Sequence, residues 1–311
     1  MELFKTQTKI DFLGVRYIAA VISGLLIITS IVSFVARGLN FGIDFTGGTV
    51  VELSYAQSPD LEHIRQVLNK SEFKGAVVQY FGSSTDVLIR LAPKKGMNNA
   101  AISNRIMDLL GHGKQHVEMR RVEFVGAQVG NELAEDGTLA MIYALGGILI
   151  YVALRFQMRF SVGAIVALIH DTTITIGFFS VSGMEFDLTV LAAVLAVIGY
   201  SLNDTIVVFD RVRENFHRLR GKTAVEVFNI SINQTLSRTI MTSFATLLVV
   251  FALYFWGGKI IHGFATALMV GIIVGTYSSI YVASPVTLSL GISREDLLPV
   301  KKEGAEQDSR P

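Results

Sequence analysis

The amino-acid sequence predicts an α-helical polytopic membrane protein, with six transmembrane helices and a small α+β ferredoxin-like domain between the first and second of them. Of its 311 residues, 51% are hydrophobic and 17% are charged, whereas soluble domains carry about 25% charged residues. The mean hydropathy is +0.49. Six stretches are long and apolar enough to cross about 30 Å of hydrocarbon as helices. Because each such helix satisfies its own backbone, the six are expected to form one bundle.

The predicted transmembrane helices cover residues 17–36, 137–154, 160–181, 188–209, 236–256 and 263–284. The first stretch is 20 residues long, which exceeds the usual apolar core of a secretory signal peptide. Phe34 also occupies a position where signal cleavage needs a small residue. We therefore interpret this stretch as an uncleaved membrane anchor, with a removed signal peptide as the alternative.

Lysine and arginine residues beside the spans predict the orientation of the chain. They are frequent before the first span, after the second and between the fourth and fifth, whereas the loop between the fifth and sixth has only Lys259. Both termini are therefore expected in the cytoplasm. The predicted regions are a cytoplasmic N-terminus with the first helix (1–36), an outer domain (37–136), five helices with a cytoplasmic loop at 210–235 (137–290), and a disordered cytoplasmic tail (291–311).

The cytoplasmic loop is basic and carries Phe216 and Leu219 at helical spacing. This pattern predicts a short interfacial helix that lies against anionic headgroups. A loop whose basic residues only fix the orientation of the chain is the alternative.

Residues 37–136 have the mixed periodicity of a small α+β domain. The pattern predicts strands at 49–55, 75–81, 86–92 and 117–125, and helices at 59–70 and 98–113. The order strand, helix, strand, strand, helix, strand is that of a ferredoxin-like fold. Since the chain has no cysteine, an apolar core must hold this domain together. We find no catalytic constellation in it, and we interpret His63, His112 and His116 as surface histidines.

Glycines surround Asp44 where the first helix meets the outer domain. The segment FGIDFTGG contains Gly42, Gly47 and Gly48. Glycine permits close backbone approach and positive φ, so we interpret this segment as the junction between the membrane helix and the sheet. A phosphate-binding loop is a poor alternative, because the spacing is neither G-x-G-x-x-G nor that of a P-loop.

An aspartate and an arginine lie within the apolar stretches. Asn203 and Asp204 interrupt the fourth stretch, and Arg238 lies in the inner part of the fifth. An aspartate at the centre of a span costs about 2.5–3.5 kcal/mol on insertion scales, so it needs a function or a partner. Asp204 and Arg238 have similar depths, which predicts an ion pair. Asp204 can exchange a proton whereas Arg238 keeps its charge, so the pair could couple protonation to helix movement. A purely structural pair and a snorkelling Arg238 are the alternatives.

Further polar residues support this site. They are His170 and Asp171 near the middle of the third stretch, and Thr239 and Thr242 on the polar face of the fifth. We expect the threonines to face a wet cavity or a partner helix, and Asp171 to continue the polar path outward.

The chain lacks the signatures of an intramembrane enzyme. A His-Asp doublet without further ligands is a weak metal signal, and GYSLND does not match the G-x-G-D pattern of intramembrane aspartyl proteases. We therefore expect no enzymatic activity and no metal site. In the sixth stretch, Gly271 and Gly275 form a G-x-x-x-G pattern that predicts close packing against another helix.

Three motifs together resemble the SecD/SecF family of bacterial protein-export accessory proteins. They are FGIDFTGG after the first stretch, VIGYSLNDTIVVFDRVREN on the fourth and NQTLSRTIMTS on the fifth. The similarity covers essentially the whole chain. It implies half of a bundle of the resistance-nodulation-division (RND) superfamily, in which SecD supplies six further spans and a larger periplasmic domain.

The resemblance also implies a bacterial inner-membrane protein whose domain 37–136 is periplasmic and which uses the proton motive force in late steps of preprotein export. Carried over by motif, Asp204 in SLNDT and Arg238 in LSRT take part in proton passage, and SecD adds another aspartate. The expected partners are SecD, the SecYEG channel, YajC, the translocating preprotein and membrane lipids, without nucleic acid. No cofactor is expected, because the proton gradient is the energy source.

The alternative functions are a half-transporter for drugs or lipids and a scaffold. A half-transporter for drugs or lipids would need a much larger outer domain than the roughly 100 residues at 37–136. A scaffold would tolerate the loss of the charge at Asp204.

Overall fold

The computed structural model describes residues 8–93, 99–111 and 116–292. Its helices are α1 (Arg16–Arg37), α2 (Ile43–Thr46), α3 (Leu61–Lys70), α4 (Asn99–Gly111), α5 (Ala127–Arg155), α6 (Met158–Ser182), α7 (Leu188–Arg218), α8 (Ala224–Trp256), α9 (His262–Ser278) and α10 (Ser284–Ser289). Its strands are β1 (Asn40–Phe41), β2 (Gly48–Tyr55), β3 (Val77–Phe81), β4 (Ser83–Leu91), β5 (Val117–Val125) and β6 (Glu185–Phe186). The predicted tail beyond residue 292 and His112 lie outside the described residues.

Six helical segments are long and apolar enough to cross a membrane, which confirms the predicted fold class. They are α1, α5, α6, α7, α8 and the run from the turn before α9 to the end of α10. Aromatic residues fill the bundle core, where the rings of Phe160 and Phe209 meet edge to face with centroids 4.9 Å apart. Phe228 stacks on Phe160 from α8. Because packing of this kind is specific, it fixes how α6, α7 and α8 are rotated against one another.

The predicted loop at 210–235 is wrong, because two long helices occupy most of it. Only residues 219–223 separate α7 from α8. Thr223 accepts a hydrogen bond from the backbone N–H of Glu226, whose side chain accepts in return from the backbone N–H of Thr223. This capping box starts α8 twelve residues before the predicted span, since charged residues extend a helix beyond the membrane at little cost.

The predicted interfacial helix is likewise wrong. Phe216 belongs to the last turns of α7, is buried, and packs edge to face on Phe228 of α8 with ring centroids 6.2 Å apart. Phe216 thus faces the bundle rather than the headgroups. The helical spacing of Phe216 and Leu219 alone did not distinguish burial in the bundle from contact with the membrane interface.

Gly271 and Gly275 lie where α9 crosses α7. A Cβ added to Gly271 would be 2.1 Å from a methyl carbon of Val197, and one added to Gly275 would be 3.0 Å from Cβ of Ser201. Both helices therefore approach closely enough that a side chain at Gly271 could not be accommodated without movement.

The sixth membrane segment is not a regular helix. Residues Ser279–Ala283 form a π-helical turn between α9 and α10. Pro285, at the start of α10, has no backbone N–H and cannot continue the i→i−4 ladder. The widened turn just before it accommodates this loss, and such turns are frequent at functional sites.

The domain between α1 and α5 has the predicted ferredoxin-like topology. Its four strands form an antiparallel sheet in the order β3, β4, β2, β5. In the centre of the sheet, Val51 of β2 lies opposite Ile89 of β4 and Val122 of β5. Ile64 and Leu68 of α3 belong to the same buried apolar core.

The glycine segment joins this domain to the bundle. Gly47 and Gly48 have φ of +66° and +128°, and a Cβ at Gly48 would be 2.3 Å from the carbonyl oxygen of Leu91. A Cβ at Gly47 would be 2.8 Å from Cα of Ala127, the first residue of α5. This helix starts ten residues before the predicted span and projects toward the domain. The two glycines are therefore needed for a close backbone contact as well as for their φ values.

The first half of the same segment caps α7. Asp44 accepts a hydrogen bond of 3.1 Å from the backbone N–H of Leu188, the first residue of α7. The backbone N–H of Gly42 donates to the carbonyl of Phe186, 2.9 Å away, beside the short parallel pairing of β1 with β6. A negative charge at this position stabilises a helix N-terminus, so Asp44 has a structural role here.

Charged contacts complete the junction between the domain and the bundle. Lys259, between α8 and α9, donates to Asp86 of β4 and lies 3.4 Å from a carboxylate oxygen of Glu52 of β2. This ammonium holds the pKa of Asp86 at about 2. Nearby, Arg90 of β4 forms an ion pair of 2.7 Å with Glu185, whose pKa is nevertheless raised by burial.

We expect Lys259→Met to destabilise the docked domain by about 1–3 kcal/mol, because two largely buried carboxylates lose their charged donor. The measurement is thermal unfolding of the purified protein together with hydrogen exchange in β2 and β4. The matched control is Lys222→Met, which removes an exposed ion pair with Glu226 and should cost less than about 1 kcal/mol. Equal losses of stability in the two variants would contradict the role of Lys259 in holding the domain to the bundle.

Asp86 also makes stability depend on pH. Its pKa in the folded protein is about 2, below the usual 3.8, so the ionised group stabilises the fold above about pH 4. This contribution should be lost as the pH falls from about 4 to 2. We expect the difference in unfolding free energy between wild type and Asp86→Asn to shrink in that window. A difference that stays constant from pH 6 to about 2 would refute the prediction.

Candidate functional site

Asp204 lies inside the bundle and contacts three helical segments. Its carboxylate is on α7 and is 6% exposed. One oxygen accepts a hydrogen bond of 2.6 Å from the hydroxyl of Thr239 on α8, and the other accepts one of 2.6 Å from Ser279 on the π-helical turn. Two charge-assisted hydrogen bonds of this length are among the stronger polar contacts in proteins. The carboxylate therefore connects α7, α8 and the sixth membrane segment.

Asp171 is a second buried carboxylate, on α6. Ser278, the neighbour of Ser279, donates to it over 2.6 Å, and Ser201 of α7 donates to the same oxygen. Consecutive serines on the sixth segment thus bind carboxylates on two different helices. The structure brings Asp171 and Asp204 to opposite sides of one polar strip.

The strip continues to α1 through His170. Nδ1 of His170 is 2.7 Å from the carboxylate of Asp171, and Nε2 is 3.1 Å from the hydroxyl of Ser23. Tyr277 lies 3.1 Å from Ser23 and donates to the backbone carbonyl of Ala19. Every polar atom named here has a partner, which is what burial of these groups requires.

Arg238 does not form the predicted ion pair. Among the residues that the structure describes, no Arg238 nitrogen lies within 4.0 Å of the Asp204 carboxylate. Arg238 is exposed on the outer face of α8, whereas Thr239 points into the bundle. Adjacent residues of a helix differ by about 100° in direction, so the prediction of equal depth did not fix which one faces Asp204.

Asn203 and Thr242 also lie on the outside. Asn203 precedes Asp204 on α7 but is exposed. Thr242 is exposed and donates only to the backbone carbonyl of Arg238 and, at 3.0 Å, to that of Thr239. Asn203, Arg238 and Thr242 are thus exposed polar residues on the outer surfaces of α7 and α8, and we call them together the outer polar face.

Sequence inspection missed the serines that hold the two carboxylates. These serines are Ser201 on the fourth stretch and Ser278 and Ser279 on the sixth. The available signal was the presence of hydroxyl groups within apolar stretches, because a buried hydroxyl needs a hydrogen-bond partner. Within the described ranges, no group of three or more His, Asp or Glu side chains is arranged to hold a metal ion.

The arrangement can respond to a proton. An ionised carboxylate accepts hydrogen bonds only, whereas a protonated one must donate. If Asp204 were protonated, the hydroxyl of Ser279 could donate instead to the backbone carbonyl oxygen of Thr276, 3.0 Å away. Protonation of Asp204 would therefore weaken the link between α7 and its neighbours.

We expect Ser279→Ala to destabilise the bundle by about 1–3 kcal/mol, because the buried Asp204 carboxylate loses one of its two donors. Thermal unfolding in detergent measures the effect. Ser289→Ala makes the same chemical change at an exposed serine that donates only to the carbonyl of Val286, and should change stability by less than about 0.5 kcal/mol. Similar melting temperatures for both variants would show that Ser279 does not hold Asp204.

Comparisons with known proteins cover the whole chain. Residues 105–293 match the family described as protein export membrane protein SecD/SecF, C-terminal, and residues 32–59 match the SecD/SecF GG motif. The chain is 49% identical over 313 residues to a protein translocase subunit SecF of Vibrio alginolyticus, covering 100% of this chain and 99% of that one. It is 48% identical to the SecF of Pseudomonas aeruginosa, covering 96% and 97%.

Among solved structures, the chain is similar to SecDF of Thermus thermophilus, described as a translocon-associated membrane protein. The TM-score is 0.83 with 38% sequence identity, and the match covers 93% of this chain but 40% of the SecDF chain. A second structure of SecDF, in a super-membrane-facing form, gives a TM-score of 0.69 over the same shares. The GG motif coincides with the domain junction and the C-terminal match includes both carboxylates and their serines, so the chain belongs to the SecD/SecF family of protein export membrane proteins.

Proposed function

We propose that this chain works with SecD in the bacterial inner membrane and uses the proton motive force to promote late steps of preprotein export. One observation carries the proposal: the buried Asp204 carboxylate receives hydrogen bonds from α8 and from the π-helical turn while it belongs to α7. A single proton therefore changes the contacts of three membrane segments at once. This is the kind of group that couples proton binding to helix movement.

The free energy available from the proton gradient is similar to the cost of breaking one hydrogen bond at Asp204. Moving one elementary charge across 100 mV yields about 2.3 kcal/mol. Breaking a hydrogen bond to a charged group costs about 1.5–3 kcal/mol. The gradient can therefore offset the loss of one of the two hydrogen bonds at Asp204, provided that protonation is reached from one side of the membrane and release occurs to the other.

Arg238 has a different role in this proposal from the one its sequence position suggested. Its guanidinium is exposed on the outer polar face, where it has no carboxylate partner among the described residues. A cation facing lipid is costly, so a partner helix is expected to cover it. We propose that SecD covers this face and places an aspartate against Arg238, near enough for both to influence Asp204.

The outer domain is the part of the chain that would move in response to a change at Asp204. It is held to the bundle by Lys259, by the ion pair of Arg90 with Glu185, and by the glycine junction that caps α7 through Asp44. A movement of α7 would therefore reach the domain directly. With both termini in the cytoplasm, the domain lies in the periplasm, where it would meet a preprotein leaving the SecYEG channel, with YajC as a further partner.

Competing functions account for fewer of these features. A scaffold does not need a buried carboxylate at the meeting point of three segments, because apolar side chains would pack there at lower cost. A drug or lipid half-transporter would need a large substrate domain, whereas the four-stranded domain here has a filled apolar core. The proposal includes neither an enzymatic activity nor a cofactor, because the proton gradient is the energy source.

We expect Asp204→Asn to retain assembly with SecD but to abolish the stimulation of export by a proton gradient, since an amide cannot exchange the proton. The measurement is preprotein export into inverted membrane vesicles with and without an imposed gradient. Asp210→Asn is the matched control on the same helix: Asp210 pairs with Arg155 at the membrane end and should leave at least half of the stimulation. Undiminished stimulation in Asp204→Asn would refute the proposal.

The exchange of the two charges tests the role of Arg238. Because these side chains are not in contact, we expect the double variant Asp204→Arg with Arg238→Asp to remain inactive in the same vesicle assay. Arg238→Lys should retain part of the stimulation, since it keeps the charge on the outer polar face. Rescue by the double exchange would instead establish a direct structural pair.

A further inference from the structure

A long groove runs along the bundle beside α1 and meets the α1 end of the carboxylate strip at Ser23 and His170. It has a volume of about 870 Å³ and lies between α1, α6, the π-helical turn and α10. Its walls are apolar for most of their length. They are formed by Ala20, Gly24 and Ile27 of α1, Val166 and Ile169 of α6, and Val282 and Val286 opposite.

The groove spans one leaflet of a bilayer. Along α1 it extends from Arg16 to Ile27, a distance of about 16 Å at 1.5 Å per residue. Half of the hydrocarbon thickness is about 15 Å. Its inner end therefore lies near the bilayer centre, and Ser23 and His170 line the groove about one helical turn before that end.

The open end carries positive charge. Arg16 lines it, and within the described residues no carboxylate oxygen lies within 4.0 Å of its guanidinium, which packs on the ring of Tyr17 instead. Arg159 donates to the carbonyl of Gly291, which also lines this end. The end lies on the side of the bundle opposite the α+β domain, where α8 begins and α10 ends.

We propose that the groove binds one anionic phospholipid, with its phosphate at Arg16 and one acyl chain along α1 as far as His170. Basic pockets between transmembrane helices on the cytoplasmic side are suited to anionic headgroups. The leaflet-long apolar walls fit an acyl chain, and a groove of this volume lies within the range of ligand sites. A transmembrane helix from a partner would not need a groove that ends at the bilayer centre.

The lipid would have a structural consequence. Ser23 and His170 are buried near the inner end of the groove and connect α1 to the Asp171 carboxylate. An acyl chain in the groove keeps water from this end. It thereby preserves the low dielectric in which these hydrogen bonds are strong.

The test is native mass spectrometry of the purified full-length protein titrated with dioleoyl phosphatidylglycerol or dioleoyl phosphatidylcholine. We expect one phosphatidylglycerol to bind saturably and more tightly than phosphatidylcholine. Gly24→Trp fills the groove, because an added Cβ at Gly24 meets no atom within 4 Å, and should weaken binding at least tenfold. Gly147→Trp is the matched control: it places the same ring at another unobstructed glycine, on α5 outside the groove, and should bind as wild type.

Two further results decide the chemistry of the occupant. Arg16→Gln should abolish the preference for phosphatidylglycerol, whereas Arg155→Gln, at the same membrane end outside the groove, should keep it.

Equal binding to wild type and Gly24→Trp would overturn the proposal. So would loss of the bound lipid on assembly with the partner subunit, because a protein helix would then be the occupant. Neither outcome bears on the proton-coupling role of Asp204, which the vesicle assay tests separately.

Discussion

The structure depends on one constraint, which is that two carboxylates are buried in an apolar bundle and must be fully hydrogen-bonded there. Asp204 receives hydroxyl groups from α8 and from the sixth segment, and Asp171 receives them from α7 and the sixth segment. An unsatisfied polar group in hydrocarbon costs several kcal/mol, so these contacts fix the mutual rotation of four helices. The polar strip organises the bundle, and the aromatic core fills the space around it.

Consecutive serines, at the point where α9 meets the π-helical turn, hold both carboxylates. Consecutive side chains of a helix diverge by about 100°, so two adjacent residues can reach two different neighbouring helices at one level. Here Ser278 and Ser279 reach carboxylates on α6 and α7, at the point where the turn widens ahead of Pro285. Tyr281 and Val282 of the same turn line the groove beside α1. The turn therefore contributes both to the carboxylate strip and to the surface that we assign to a lipid.

The outer domain is attached rigidly to the same helices. Gly47 and Gly48 bring its first long strand against α5, Asp44 caps α7, and Lys259 reaches into the sheet from the loop between α8 and α9. These contacts are polar or depend on glycine, so they specify geometry more than they add apolar burial. A rearrangement at Asp204 would reach the domain through α7, because Asp44 accepts a hydrogen bond from the first residue of that helix.

The sequence by itself determined the number of membrane segments, the ferredoxin-like order of the outer domain, and the importance of Asp204, because apolar length, strand alternation and an acid in hydrocarbon are local properties. Tertiary structure alone decided which side chains meet. Depth along a helix is readable from residue number, but rotation about its axis depends on packing with every neighbour. For that reason Thr239 rather than Arg238 contacts Asp204, and Ser279 is its second partner. The capping box at Thr223 similarly replaced a predicted loop, since charged helix ends carry no hydropathy signal.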